Sequence, residues 1–102
     1  MKEQIIKFER SKKNKKKYTV YVKNKKTKKI RQIHFGASDY QQFKDRTPLK
    51  LFSHKNHNTI KRMRNYYLRH SGTKKKRDAI KKEIKNAKGF YTPKILSHIY
   101  LW

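Results

Sequence analysis

Tyr18-Thr19-Val20-Tyr21-Val22 is the stretch that leaves the chain least freedom. β-Branched and aromatic residues in unbroken succession favour an extended backbone, and the two-residue period of a strand then puts Tyr18, Val20 and Val22 on one face. Such a face needs cover and such a backbone needs a partner strand. The partner follows directly: Asn24 through Lys29 is a polar, basic turn, and Ile30 to Phe35 alternates Ile33 and Phe35 against Gln32 and His34 before Gly36 breaks the pattern. The pair predicts an antiparallel β-hairpin with a basic tip. Residues 1–10 alternate weakly, with Ile6 and Phe8 on one side and Lys7 and Glu9 on the other, and are the candidate for a third, edge strand.

Beyond the hairpin the period changes from two to about three and a half. Asp39 to Lys44 has room for one helical turn, and Thr47-Pro48 is a start signal for a short helix over Pro48 to Ser53, since proline at the first helical position sacrifices no backbone donor. Asn56 or Asn58 can cap the next helix, in which Ile60, Met63 and Tyr67 recur on one side and Ser71-Gly72 marks the end. Thr73 can cap another, with Asp78 in an early turn, Ile80, Ile84 and Ala87 as its stripe, and Gly89 as its stop. Thr92-Pro93 repeats the start signal ahead of Ile95, Leu96, Ile99 and Trp102, the most apolar stripe in the chain, which is expected to bury itself against the hairpin. The expected fold class is therefore α+β: an N-terminal antiparallel hairpin, with a third strand as an option, packed by two to four helices. Residues 1–17 are read as a basic strand or arm and 18–102 as one small domain.

Charge limits what such a domain can do. Thirty-one Lys and Arg stand against six Asp and Glu, a formal net charge of +25 in 102 residues, while only 33% of residues are hydrophobic. The aromatic share of 13% still argues for a packed, thin core. Self-repulsion at that charge density calls for a polyanion, and nucleic acid fits best because phosphate contacts release condensed counterions. DNA is favoured over RNA. An anionic membrane is disfavoured, since no long apolar run, signal-peptide core or lipidation signal is evident. Without cysteine there is neither a disulfide nor a thiolate zinc site.

The order Tyr18–Val22, Ile33-His34-Phe35-Gly36, Tyr40, Phe43 with Asp45, Tyr67-Leu68-Arg69-His70, Gly89-Phe90-Tyr91 and Ile99-Tyr100-Leu101-Trp102 resembles a family of small, basic, uncharacterised proteins encoded by nucleocytoplasmic large DNA viruses. The likeness spans residues 18–102 and departs from the family pattern between His70 and Gly89, where a long lysine-rich helix replaces a shorter linker. The resemblance carries no enzyme activity. It implies a viral setting, in the virion or in the host cytoplasm where viral factories form, with other virion proteins as further partners.

Phosphate binding is assigned to Lys12, Lys13, Lys15, Lys16 and Lys17 in the arm, to Lys25, Lys26, Lys28 and Lys29 at the hairpin tip, and to Lys74, Lys75, Lys76 and Arg77. The helix carrying Lys61, Arg62, Asn65 and Arg69 is the one candidate for reading base edges. The aromatics Tyr18, Tyr21, Phe35, Tyr40, Phe43, Tyr66 and Tyr67 could stack on single-stranded bases, but core and loop packing is their expected role, Tyr21 excepted because it points away from the core face. His54-x-x-His57 has helical spacing but no acid or cysteine nearby to complete a closed metal site, and no cofactor or small-molecule substrate is expected. His34 and His70 are read as hydrogen-bonding within the fold, His70 being favoured in its protonated form at a helix C-terminus. Asp39 and Asp45 could join His34 or His70 in a nuclease-like group, yet serve equally as caps or as partners of Arg46 and Arg69. The expected function is that of a viral nucleic-acid-binding protein, not an enzyme, that neutralises and condenses the genome in the virion core or the factory. The alternatives are a capsid cement protein, which joint exposure of Leu51, Phe52 and Leu68 would favour, and a ribosomal-type RNA-binding protein.

Overall fold

Tyr18, Val20 and Val22 are completely buried and lie on one face of the middle strand of an antiparallel sheet. The computed structural model describes residues 1–102. Its strands β1 (Glu3–Arg10), β2 (Lys16–Asn24) and β3 (Ile30–Ala37) form a meander in the order β1-β2-β3, followed by helices α1 (Ile60–Ser71), α2 (Lys76–Asn86) and α3 (Pro93–Tyr100). The fold class is α+β. Across the β2–β3 ladder Tyr18 faces Phe35 and Val20 faces Ile33, so both strands present their apolar residues to the same side.

Helix α3 covers that side. Leu96 and Leu101 join Tyr18, Val20, Val22, Ile33, Phe35 and Phe52 in the main core, and Phe8 meets Tyr100 edge-on at 4.9 Å. The start of α3 is held as its sequence predicts: Pro93 occupies the first turn, and Ile95 N donates to Thr92 Oγ1 at 3.1 Å. A smaller cluster of Tyr66, Tyr67 and Ala79 joins α1 to α2, and Trp102 packs against both clusters. Each large side chain in these clusters contributes about 1.5–3 kcal/mol through removal from water. With so few of them, loss of any one is felt.

Several local expectations are overturned. The stretch Ser11–Lys17 is not a free arm: Ser11 N donates to Lys17 O, Lys16 N donates to Lys13 O, and Lys15 takes a left-handed backbone (φ 64°), closing a second hairpin between β1 and β2. Pairing wins because the apolar face of β2 would otherwise lack an edge partner. In β1 the register shifts between Ile5 and Lys7, so Ile5 and Phe8 turn toward the core and Ile6 is left 46% exposed.

No helix forms over Asp39–Lys44 or Pro48–Ser53. Lys50 has φ +50°, and Leu51 N and Phe52 N donate to Tyr18 Oη and Asp45 Oδ2, so tertiary acceptors replace the helical ones; a short 3₁₀ turn follows at Ser53–Lys55. Asn56 caps no helix. Its Oδ1 accepts from Asp45 N at 2.8 Å and from Gln42 Nε2 at 2.6 Å, beside a bridge between Gln42 and Asn56 that fastens the loop. Thr59 and Lys75, not Asn58 and Thr73, precede α1 and α2, and neither makes a side-chain cap. Ile60 is exposed and Ile80, Ile84 and Ala87 are only half-buried, whereas Tyr66 and Ala79 supply the contact between α1 and α2.

Candidate nucleic-acid interface

The basic residues fall into separate exposed groups. At the β2–β3 tip, Asn24 Oδ1 accepts from Lys26 N at 2.9 Å and Thr27 N at 3.0 Å, which fixes the turn and leaves Lys25, Lys26, Lys28 and Lys29 in solvent. Lys12, Lys13 and Lys15 are exposed on the β1–β2 turn, and because the sheet is a meander this turn lies at the opposite end. Lys61, Arg62, Asn65 and Arg69 are exposed along α1, with Arg62 tied to Gln41 Oε1 at 2.8 Å. Lys74, Lys75 and Arg77 are exposed at the start of α2.

Three of the lysines that the sequence assigns to phosphate binding are not exposed like the rest. Lys17 is only 2% exposed; its Nζ donates to Tyr40 O at 2.7 Å and sits 5.9 Å from the Phe52 ring centre. Burial pulls its amine down to about 8, with Lys55 adding to the fall and Asp45 opposing it. Lys76 is half-buried and is likewise pulled down to about 8, by burial first and Arg46 second. Lys16 is half-buried within β2.

Most of the acids are used internally. Glu3 accepts both Arg31 Nε (2.7 Å) and Arg31 Nη2 (2.9 Å) along with Tyr91 N (2.8 Å), and the Arg31 bond holds its carboxyl below the usual range. Glu9 accepts from Tyr21 Oη at 2.8 Å, so the outward-pointing Tyr21 is engaged on its own sheet face, with Lys7 over its ring. Asp45 is buried and accepts from Tyr18 Oη, Thr47 N, Thr47 Oγ1 and Phe52 N; it pairs with neither Arg46 nor Arg69. Asp39 and Asp78 are exposed. Ion pairs involve only Lys7, Arg31 and Lys94, leaving every other Lys and Arg without a carboxylate partner.

The one Ser–His–Glu grouping has the wiring of a support. Ser71 Oγ lies 2.8 Å from His98 Nε2 and donates to Glu83 Oε2 at 2.8 Å, while Tyr66 Oη lies 2.9 Å from His98 Nδ1. A carboxylate only accepts, so the serine proton is committed to Glu83. Nε2–H of His98 then donates to Ser71 and Nδ1 accepts from Tyr66. The histidine is fully buried and burial pushes it down to about 4, which keeps it neutral. It takes no proton from Ser71 and stitches α1, α2 and α3 together.

His34 Nδ1 lies 2.6 Å from Thr19 Oγ1, the internal bond expected of it. His70 differs from expectation: its ring leans on Tyr66 at 4.5 Å, and burial together with Arg69 and Lys94 lowers its pKa, against the helix-end preference for a proton. His57 Nδ1 accepts from Thr59 N, and no three of the His, Asp and Glu side chains gather where they could hold a metal ion.

A groove of about 410 Å³ runs between the far end of β2–β3, the C-terminal turn of α1 and one side of α3. Gly36 forms part of its floor, where a Cβ would come within 2.9 Å of Leu101 Cδ1 and φ is +81°. Tyr40, Arg69, His70, Lys94 and Trp102 contribute to its walls, and no Asp or Glu lines it. Stretches far apart in the chain, Gly36, Tyr40, Arg69-His70 and Leu101-Trp102, thus converge on one depression. Of the sequence-assigned cations, Lys16, Lys17 and Arg69 are brought together there. Lys94 is missed by sequence reading, which gives the last helix wholly to the core; the signal was its recurrence with Ser97 and Leu101 on a second helical face.

Comparison with protein-family models, with curated proteins and with solved structures yields no match. No helix is long and apolar enough to cross a membrane.

Proposed function

We propose that the protein binds nucleic acid, chiefly through the phosphate backbone and without sequence preference, and so neutralises and bridges polynucleotide segments. The observation that carries this reading is the pairing pattern together with exposure: only three ion pairs form, and 25 of the 31 Lys and Arg side chains are exposed. Basic turns at both ends of the sheet and basic helix faces in a body 41 Å long let one molecule touch more than one strand. Multivalent contact of that kind crosslinks polyanions through effective concentration, without requiring any tight single site. Binding without catalysis accords with carboxylates that are dispersed, four of the six, Glu3, Glu9, Asp45 and Glu83, being hydrogen-bonded within the fold. The resemblance noted above makes a viral genome, in a virion core or cytoplasmic factory, the polyanion of choice, with DNA ahead of RNA.

The cement alternative is weakened by the placement of its marker residues. Phe52 is buried on Tyr18, Leu51 packs against the core, and Leu68 alone is exposed, so they form no joint apolar patch.

The test is binding of the purified protein to duplex DNA, single-stranded DNA and RNA of equal length, titrated across salt. Phosphate-dominated binding gives log Kobs falling linearly with log salt, a loss of about 10³–10⁵ between about 50 and 200 mM for roughly 6–10 contacts. Absence of binding near physiological salt, or binding indifferent to salt, removes the proposal.

A further inference from the structure

The groove beside Gly36, at about 410 Å³, has the volume of a small-ligand site, at the lower end of the roughly 300–1,000 Å³ range. Its chemistry is mixed in a specific way. Lys16 and Arg69 bring positive charge to it, together with Lys94, whose Nζ donates to His70 O at 3.3 Å and stands 3.8 Å from Glu83 Oε1. Between these cations are π faces: Trp102 stacks on Tyr66 at 4.2 Å with ring planes 4° apart, and Tyr66 in turn meets His70 at 4.5 Å.

Tyr40 at the rim is 72% exposed, the most exposed large hydrophobic residue of the protein. Its backbone is nonetheless held, since Tyr40 N donates to Ala37 O at 3.2 Å and Tyr40 O accepts from the buried Lys17 Nζ at 2.7 Å. With its backbone already fixed, stacking on Tyr40 has only the ring's side-chain torsions left to order. Lys17, withdrawn from the phosphate-binding surface, acts as the positioning residue for this platform.

We propose that this groove is a subsite for single-stranded nucleic acid, in which a base stacks on Tyr40 against the aromatic wall while its flanking phosphates meet Lys16, Arg69 and Lys94. The inference rests on the nucleic-acid reading above and adds to it a preference: unpaired bases enter, paired ones do not. Stacking tolerates any base because every base has a π face, so the subsite selects strandedness and not sequence.

Trp102 is the only tryptophan and lies in the wall, so its fluorescence reports occupancy. Titration with a short oligothymidylate should change that fluorescence, with the duplex of the same length producing a smaller change. Tyr40→Ala should weaken single-strand binding roughly tenfold or more and leave duplex binding unaltered, while Tyr40→Phe keeps both. Arg69→Gln with Lys94→Gln should weaken single-strand binding more than duplex binding. The exposure of Tyr40 means its replacement leaves the fold intact, which an unchanged melting temperature checks. Equal losses for single strand and duplex, or no loss for either, overturn the subsite while leaving general phosphate binding in place; a wild-type protein that binds neither overturns both.

Discussion

Asp45 and His98 occupy opposite ends of what a buried polar residue can do in a core this thin. Asp45 collects four donors from Tyr18, Thr47 and Phe52 and thereby shapes the loop that ends at Phe52; burial and this carboxylate push the Tyr18 hydroxyl up to about 12. Asp45→Ala would strand buried donors at about 1–3 kcal/mol each, so a loss of more than about 3 kcal/mol is expected in urea unfolding. His98 is held neutral, its folded pKa near 4 lying below the unfolded value of 6.5. The unfolded chain therefore takes up the proton first as pH falls, and stability is full above about 6.5 and declines as pH drops through about 4, by about 3 kcal/mol at most. Melting temperature measured across that window should fall with acid, and His98→Gln should flatten the slope while lowering the starting stability. Glu3, whose carboxyl is depressed by Arg31, adds a separate loss that begins only below about 4.5. Gly36→Ala meets both a left-handed backbone and Leu101, and should be among the most damaging single methyl additions in the chain.

Among the elements, the β1–β2 turn separates charge from support. Lys12, Lys13 and Lys15 are exposed there, whereas Lys17 two residues on is buried under the Tyr40 loop. Replacing the three exposed lysines by glutamine should shallow the salt slope of duplex binding by about 2–3, at about 0.9 per phosphate contact, without lowering the melting temperature. An unchanged slope would take this turn out of the interface. Lys17→Gln should do the reverse, lowering stability with little change in slope. The hairpin of β2 and β3 was legible from Tyr18–Val22 and Ile33–Phe35 because side-chain alternation along a strand is local. Segment 38–59 was not, because its backbone groups find tertiary partners that local pattern does not announce: Leu51 N donates to Tyr18, Phe52 N donates to Asp45, and Phe52 O accepts from Gln42 Nε2. The rule that Thr-Pro starts a helix worked at Thr92 and failed at Thr47, although each hydroxyl accepts the cap bond from three residues on, Ile95 N and Lys50 N. After Thr47 the backbone turns left-handed at Lys50, and Leu51 N and Phe52 N go to Tyr18 and Asp45 in place of helical carbonyls.

The molecule as a whole carries far more positive charge than its acids offset, within a radius of gyration of 13.5 Å. Self-repulsion should make the fold salt-sensitive: raising ionic strength from about 10 mM to about 150 mM shortens the Debye length from about 30 Å to about 8 Å, and the melting temperature should climb. A melting temperature that is flat or falling over this range would mean the charges are spaced too widely to oppose folding. Composition sufficed to establish the large net positive charge, since charge counts do not depend on how the chain folds, and periodicity sufficed for the strand pair and the apolar last helix. Which lysines reach solvent, which way β1 turns after its bulge, and the meeting of Gly36, Tyr40, Arg69, Lys94 and Trp102 in one groove depended on tertiary packing. Those outcomes follow from contacts between residues distant in sequence, and local pattern carries no record of such contacts.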